Sequence, residues 1–408
     1  MIDLEEKYIM VTNAILSKFS HRCQFDVFNF LRGISALSVL IYHTAWLCSQ
    51  TAPSIKFIPF LFFTPAWVSV WIFFMLSGYL LTKAFLAGRY KIDSFRDIGR
   101  FYLSRAMRIL PIYYFVLLID LFFINTKTYL SFDNHLLLKA LLLSIPPSGT
   151  TAMIGNLWFV CTIVRLYLLL PFFYVVMKKI REKKLRYEKI LFFSFLFILL
   201  MVTLYFRLSL LGKKHWSNFI YSKWFFNLDF FCGGGILAFL FSDKDNRFKR
   251  VMRPLSLILF FIFFVFESYC MKIHWMLDVG AEDVKVYAPL MTFAITAAIL
   301  GSFSYTGCNI KRGGEVVAVV GFCGKISMGI YVSHSQTIIN LIDRFSNPTD
   351  KKIFIFGNEI TFSAGTKNFF AILVCSIVFS VIWGCVIHYL LERPLNSLRR
   401  ANKFVPRS

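Results

Sequence analysis

Apolar runs long enough to cross a bilayer recur along this chain, at about 27–49, 58–82, 101–124, 157–178, 188–207, 219–242, 252–271, 284–305, 316–342 and 368–391. About 20 predominantly apolar residues are needed to cross roughly 30 Å of hydrocarbon, and each run meets that requirement. The expected fold is therefore all-α, a polytopic membrane bundle of about ten transmembrane helices. A further apolar run, 134–146, stops at Pro146-Pro147 and is too short to span. With 57% hydrophobic residues and 16% charged, the bulk of the 408 residues is membrane domain rather than soluble domain.

The formal charge of +23 does not form one patch or stripe, so it does not point to nucleic acid. It is split into short basic clusters that follow every second span. Lys83, Arg89, Lys91, Arg96 and Arg100 follow the second, and Lys178, Lys179, Arg181, Lys183, Lys184 and Arg186 the fourth. Lys244, Arg247, Lys249, Arg250 and Arg253 follow the sixth, Lys311 and Arg312 the eighth, and Arg393, Arg399, Arg400 and Lys403 the tenth. Basic loops stay on the cytoplasmic side, so both termini are expected there, with 134–146 dipping in or lying flat outside. One outside loop, 207–223, is basic as well, carrying Arg207, Lys213, Lys214 and Lys223.

The expected organisation is a cytoplasmic segment over 1–26, a transmembrane domain over 27–392 and a basic cytoplasmic tail over 393–408. Residues 1–26 are mixed and charged, without a compact apolar core ahead of a small-residue cleavage site, so the first span is expected to be an uncleaved anchor. The nine cysteines show no CxxC or Cys/His ligand spacing and read as small buried hydrophobes, with no metal site.

Ionisable residues inside spans are costly, at least about 2.5–3.5 kcal/mol for a charge near the centre, and are functional candidates for that reason. The first span holds two, Arg32 and His43. Eleven residues at 100° each bring them to within about 20° of one helical face, with about 16 Å of rise between them. They could line one cavity; alternatively Arg32 snorkels and His43 is a satisfied core histidine. Arg105 and Arg108, at i and i+3 where the third span begins, could face one phosphate with two guanidinium forks, or could simply anchor the span at the basic side. Ser77-Gly78 and Gly233-Gly234-Gly235 read as helix-packing sites. Trp158 and Tyr167 suit either a pocket or the core. Ser327, Tyr331 and His334, at i, i+4 and i+7, give the ninth span one polar face, which in lipid must look into the bundle. Glu392-Arg393-Pro394 stands where the last helix should stop.

In order along the chain, these segments resemble the membrane-bound acyltransferase 3 family. Phe30-Leu31-Arg32-Gly33-Ile34-Ser35-Ala36-Leu37 with Tyr42-His43 matches its arginine, ten residues, histidine signature. Phe73-Phe74-Met75-Leu76-Ser77-Gly78-Tyr79 is like its FFxLSGF/Y segment, and Arg105-Ala106-Met107-Arg108-Ile109-Leu110-Pro111-Ile112-Tyr113 like its RxxRIxPxY segment. Leu157-Trp158-Phe159-Val160 with Leu166 to Pro171 looks like the LWFL…LYLxxP form of the central motif. Ser327-Met328-Gly329-Ile330-Tyr331-Val332-Ser333-His334 resembles SxGIYLxH, and Glu392-Arg393-Pro394 the closing ExP. Two positions depart from the pattern. Asn29 stands where many members carry an acidic residue three before the arginine, and Ile163 where another form of the central motif has glutamate. The chain also resembles the stand-alone members that lack an appended SGNH-type domain.

The resemblance implies transfer of an acyl group, usually acetyl from acetyl-CoA, to a hydroxyl of a cell-surface glycan or its lipid-linked precursor, in a bacterial inner membrane. Acetyl-CoA would be the acyl donor and co-substrate, with no metal. Arg105 and Arg108 would hold CoA phosphates at the cytoplasmic face. His43 would be the general base toward the acceptor, or the group that relays the acyl chain, and Arg32 would stabilise charge on the thioester oxygen. Ser77, Trp158, Tyr167, Ser327, Tyr331 and His334 would belong to the pocket, and Asn29 and Glu392 to its structure. Ten spans with buried charges also suit a transporter or flippase of lipid-linked sugars, although no internal repeat is visible.

Overall fold

A computed structural model of the chain describes residues 26–51, 66–127, 135–144, 155–183, 187–210, 222–242, 254, 258, 262, 281–303, 315–345, 352–355, 358–361 and 366–401. The expected span at 252–271, apart from three single positions, lies outside them, as do the basic clusters at 244–253 and 311–312. The helices are α1 (Val27–Thr51), α2 (Ala66–Leu86), α3 (Phe95–Ile119), α4 (Leu136–Leu141), α5 (Trp158–Glu182), α6 (Glu188–Ser209), α7 (Leu228–Leu240), α8 (Ala281–Phe303), α9 (Glu315–Lys325), α10 (Ser327–Phe345), α11 (Thr366–Ile387) and α12 (Arg393–Ala401). Single π-helical turns extend α3 through Asp120–Ile124 and join α11 to α12 through His388–Glu392. Six of these helices are long and apolar enough to cross a membrane, and α9 with α10 forms a seventh span if the bent pair is counted as one.

The helix starts follow local chemistry. Asp26 caps α1, accepting from the backbone N–H groups of Phe28 at 3.0 Å and Asn29 at 3.3 Å. Ser94 caps α3, its hydroxyl accepting from the Asp97 N–H at 3.3 Å and donating to the Asp97 carboxylate at 2.8 Å. Pro111 and Pro171 sit inside α3 and α5, tolerable in spans where neighbouring helices re-satisfy freed carbonyls.

The bundle is built around α2, most of whose side chains are buried. It packs on α7 backbone to backbone: a Cβ on Gly78 would overlap the Phe231 carbonyl oxygen, and one on Gly234 the Met75 carbonyl oxygen. In lipid, where burial of apolar surface drives little association, close approach of this kind supplies the packing contacts. Trp71 stacks on Phe230 across the same interface, at 5.3 Å and 2° between ring planes. The outward faces are apolar, with Phe197, Ile198 and Tyr205 of α6 and Val374 and Ile382 of α11 exposed, as a lipid-facing surface requires.

The short apolar run resolves into α4, a six-residue helix too short to cross. Its carbonyls are tied to α3 by Tyr113, whose hydroxyl donates to Ala140 at 2.6 Å, and by Tyr114, which donates to Leu141 at 3.2 Å. Three features differ from the sequence expectation. The run 316–342 is not one straight helix but breaks at Ile326, with α9 and α10 at 83°. Gly324 explains the geometry: α9 crosses the first turns of α1 so closely that a Cβ there would overlap the Asn29 carbonyl oxygen. The long loop after the ninth span contains a small antiparallel hairpin, β1 (Lys352–Ile355) with β2 (Asn358–Thr361), Ile353 opposite Ile360. Arg207, counted above as a loop charge, is instead buried inside α6 against Asp229 of α7 at 2.7 Å, which removes one of the four basic residues from that outside loop.

Gly324→Ala is expected to cost at least the roughly 1–3 kcal/mol of an overpacked site, because the obstacle is backbone and cannot rotate away. A thermal melt of the purified variant would show it; an unchanged midpoint would mean α9 shifts freely on α1.

Candidate active site

A cavity of about 310 Å³ lies among α1, α2, α3, α5, the α9–α10 break and the start of α12. Arg32 and Arg108 face it together, with Ser77, Tyr167 and Ser327 on its walls. Both cations belong to one electrostatic neighbourhood in which Arg108 and Arg105 repel Arg32 and Asp26 attracts it. Two guanidiniums and the Lys325 ammonium face this space against two carboxylates, Asp26 nearby and Glu392 in the wall, which makes a site that favours an anion.

The other end of the cavity is aromatic. Phe73 and Phe159 meet at 6.0 Å, and Phe159 and Tyr331 at 5.0 Å, all three lining it. Behind Tyr331 stands His334, ring to ring at 5.7 Å, and against His334 stands His43 of α1 at 5.1 Å. The structure thus brings the polar face of α10 to the histidine of α1, with Tyr331 as the wall between cavity and histidine pair. His334 is held: its Nδ1 lies 2.6 Å from the Tyr331 carbonyl oxygen and its Nε2 3.2 Å from the Ser335 hydroxyl.

The remaining residues singled out by sequence are placed unequally. Arg105 does not share the cavity with Arg108. Its guanidinium is drawn to the Tyr90 hydroxyl and to Ser104 Oγ, with the Tyr90 and Phe101 rings beneath it. Residues at i and i+3 are 60° apart on a helix, and here a tyrosine from the segment before α3 claims one of them. Trp158 is buried beside Phe159 rather than in the lining. Asn29 lines the cavity and donates its side-chain N–H to Asp26 at 2.8 Å, so an acidic group does stand near Arg32, one turn earlier than in the family pattern. Glu392 is also in the cavity wall, paired with His388 Nδ1 at 2.6 Å.

Sequence reasoning missed His388, Lys325 and Asn396, all of which line the cavity. The i, i+4 spacing of His388 and Glu392 was a readable signal. It also missed Asn156, which donates to Ser335 Oγ at 2.9 Å across 179 residues and carried no local signal.

A family model described as an acyltransferase domain matches residues 25–390. A protein of Acidianus two-tailed virus named "Putative acetyltransferase ORF330" is 23% identical over 310 residues, which cover 74% of this chain and 80% of that protein. No solved structure matches the chain. The family match begins just ahead of the Asp26 cap and ends within the π-turn that carries Glu392, so it takes in every helix that lines the cavity except α12. On that coverage the chain belongs to the acyltransferase 3 family and is an acyltransferase.

Proposed function

We propose that this protein transfers acetyl from cytoplasmic acetyl-CoA to a hydroxyl of an extracytoplasmic cell-surface glycan or its lipid-linked precursor, in a bacterial inner membrane. The observation that carries this reading is the polarity of one cavity: cationic where Arg32 and Arg108 meet, aromatic where Tyr331 backs onto His43 and His334. An anionic donor with a slender acyl arm matches that gradient. The positive-inside pattern of the loops, read with about ten spans and both termini inside, supports a cytoplasmic placement of the cationic end.

Arg108 and Lys325 then hold donor phosphates, while Arg105 braces α3 from behind. Ser77, Tyr167, Ser327 and Tyr331 shape the channel for the arm. His43 takes the proton from the acceptor hydroxyl as its oxygen bonds to the acyl carbon; the carbon–sulfur bond breaks and the electron pair leaves on the CoA sulfur, which is then protonated. The alternative for His43, carrying the acyl group itself, uses the same path. About 16 Å of rise separates Arg32 from His43, with Tyr331 closing the cavity between them. A base and an oxyanion donor that serve one carbonyl must stand much closer, each about 3 Å from its reacting atom. We therefore assign Arg32 to the donor's charged body rather than to the thioester oxygen.

The break between α9 and α10 favours a transporter of lipid-linked sugars, since discontinuous helices mark many transporter sites. Membrane vesicles of both orientations given radiolabelled acetyl-CoA decide between the two. Label in polysaccharide, formed only when the cytoplasmic face meets acetyl-CoA, supports the enzyme and its orientation. Movement of unmodified glycan without label would replace this reading by transport.

A further inference from the structure

Behind the histidine pair stands a hydrogen-bonded unit made by two residues that no motif covers, Asn156 and Ser335. Asn156, two residues before α5, offers both ends of its amide to one hydroxyl: Nδ2 lies 2.9 Å and Oδ1 3.2 Å from Ser335 Oγ. The same hydroxyl lies 3.2 Å from His334 Nε2, and His334 Nδ1 lies 2.6 Å from the Tyr331 carbonyl oxygen. A carbonyl can only accept, so Nδ1 carries a proton and Nε2 is the nitrogen that can gain or lose one.

The hydroxyl has a single proton, and the amide decides where it points. With the ring neutral, Asn156 Nδ2 donates to Oγ and Oγ donates to Nε2. With the ring charged, Nε2 donates to Oγ and Oγ donates to Asn156 Oδ1. Three contacts thus satisfy both charge states without any heavy atom moving. That is uncommon value in a buried place, where an unsatisfied donor or acceptor costs about 1–3 kcal/mol. A helix tie needs only one hydrogen bond between Asn156 and Ser335; the donor-and-acceptor pairing on one oxygen serves a group that changes protonation.

We propose that Asn156 and Ser335 are positioning residues for proton exchange at the His43–His334 pair, holding His334 as an Nδ1–H ring whose Nε2 accepts and returns a proton. The inference rests on the acyl-transfer reading for its purpose: the acceptor hydroxyl releases one proton as the ester bond forms, and the departing CoA sulfur requires one. Among the described residues, the titratable groups against the ring are His43 from α1 and Tyr331 from its own helix, with Asn156 and Ser335 neutral.

Two readouts on the full-length protein in lipid bilayers test it. Nitrogen-15 solid-state spectra of histidine-labelled protein, with His334 assigned by its loss in His334→Gln, should show Nδ1–H with Nε2 unprotonated. Asn156→Asp removes the amide donor and keeps an acceptor, so it should turn the His334 ring to the charged form at a pH where the wild type is neutral. In the labelled acetyl-CoA assay, Ser335→Ala should lower kcat on the order of tenfold, at the low edge of what general-base chemistry contributes, with KM for acetyl-CoA unchanged and with recovery in Ser335→Thr. An Nε2–H ring in the wild type, an unmoved His334 signal in Asn156→Asp, or a Ser335→Ala enzyme within twofold of wild-type kcat would each overturn the proposal. A wild type that incorporates no acetyl while showing the Nδ1–H ring and the Asn156→Asp change would instead overturn the acyl-transfer reading and leave the proton-exchange geometry standing.

Discussion

His43→Ala is expected to lower kcat for acetyl incorporation by about 10²–10⁴-fold, the range a positioned general base supplies, with little change in KM for acetyl-CoA. Arg32→Ala is expected to behave differently. If Arg32 grips the donor's charged body, its loss removes charge-assisted hydrogen bonds of about 1.5–3 kcal/mol, which reads as a roughly ten- to hundredfold fall in kcat/KM carried mostly by KM. The separation of the two residues along α1 is what splits the phenotypes: His43 meets the His334 ring beyond Tyr331, while Arg32 faces the cavity that Arg108 shares. Steady-state kinetics on membranes carrying equal amounts of each inserted variant would read both. Wild-type kcat in His43→Ala would end its role as base or acyl carrier. A fall in kcat alone for Arg32→Ala would return that arginine to the thioester oxygen.

The contrast between these two residues shows what the sequence could and could not convey. That Arg32 and His43 are costly in a span, and share a helical face, follows from hydropathy and a 100° step. That Ser77-Gly78 and Gly233-Gly234-Gly235 are packing sites follows from residue size, and α2 and α7 do touch at Gly78 and Gly234. Helical period is a property of one segment, so it carries the helices and their faces well. It cannot carry which neighbour claims a side chain. Arg105 and Arg108 looked equivalent at i and i+3, yet Tyr90, from outside the helix, turns Arg105 away. Asn156 has no periodic partner, because its contact with Ser335 is made by tertiary packing alone. The kink at Ile326 is likewise hidden in a run whose apolar content reads as continuous, and is set by the crossing of α9 over α1 at Gly324.

Arg207→Ala is expected to destabilise the protein by about 3–5 kcal/mol, because it leaves Asp229 buried without its counter-charge. Both side chains are 1% exposed, and their 2.7 Å contact is embedded in a set of further bonds. Arg207 Nη2 donates to the Phe226 carbonyl at 2.6 Å, Thr203 Oγ1 donates to Asp229 Oδ2 at 3.1 Å, and Asp229 Oδ1 accepts from the Phe230 N–H at 2.9 Å. Asp229 stands in the first turn of α7, where the helix dipole favours a carboxylate, so this charge is well housed only while Arg207 is present. The next residue, Phe230, is the ring stacked on Trp71, which makes the pair the link from peripheral α6 through α7 to central α2. Denaturation in detergent should show Arg207→Ala and Asp229→Ala each strongly destabilised and the double variant less so than their sum, since removing both charges also removes the uncompensated one. Strictly additive losses would mean that the two ions do not stabilise each other and that α6 is held by its apolar contacts. In either case the His43–His334 geometry lies on other helices, so protein that remains folded should transfer acetyl at the wild-type kcat.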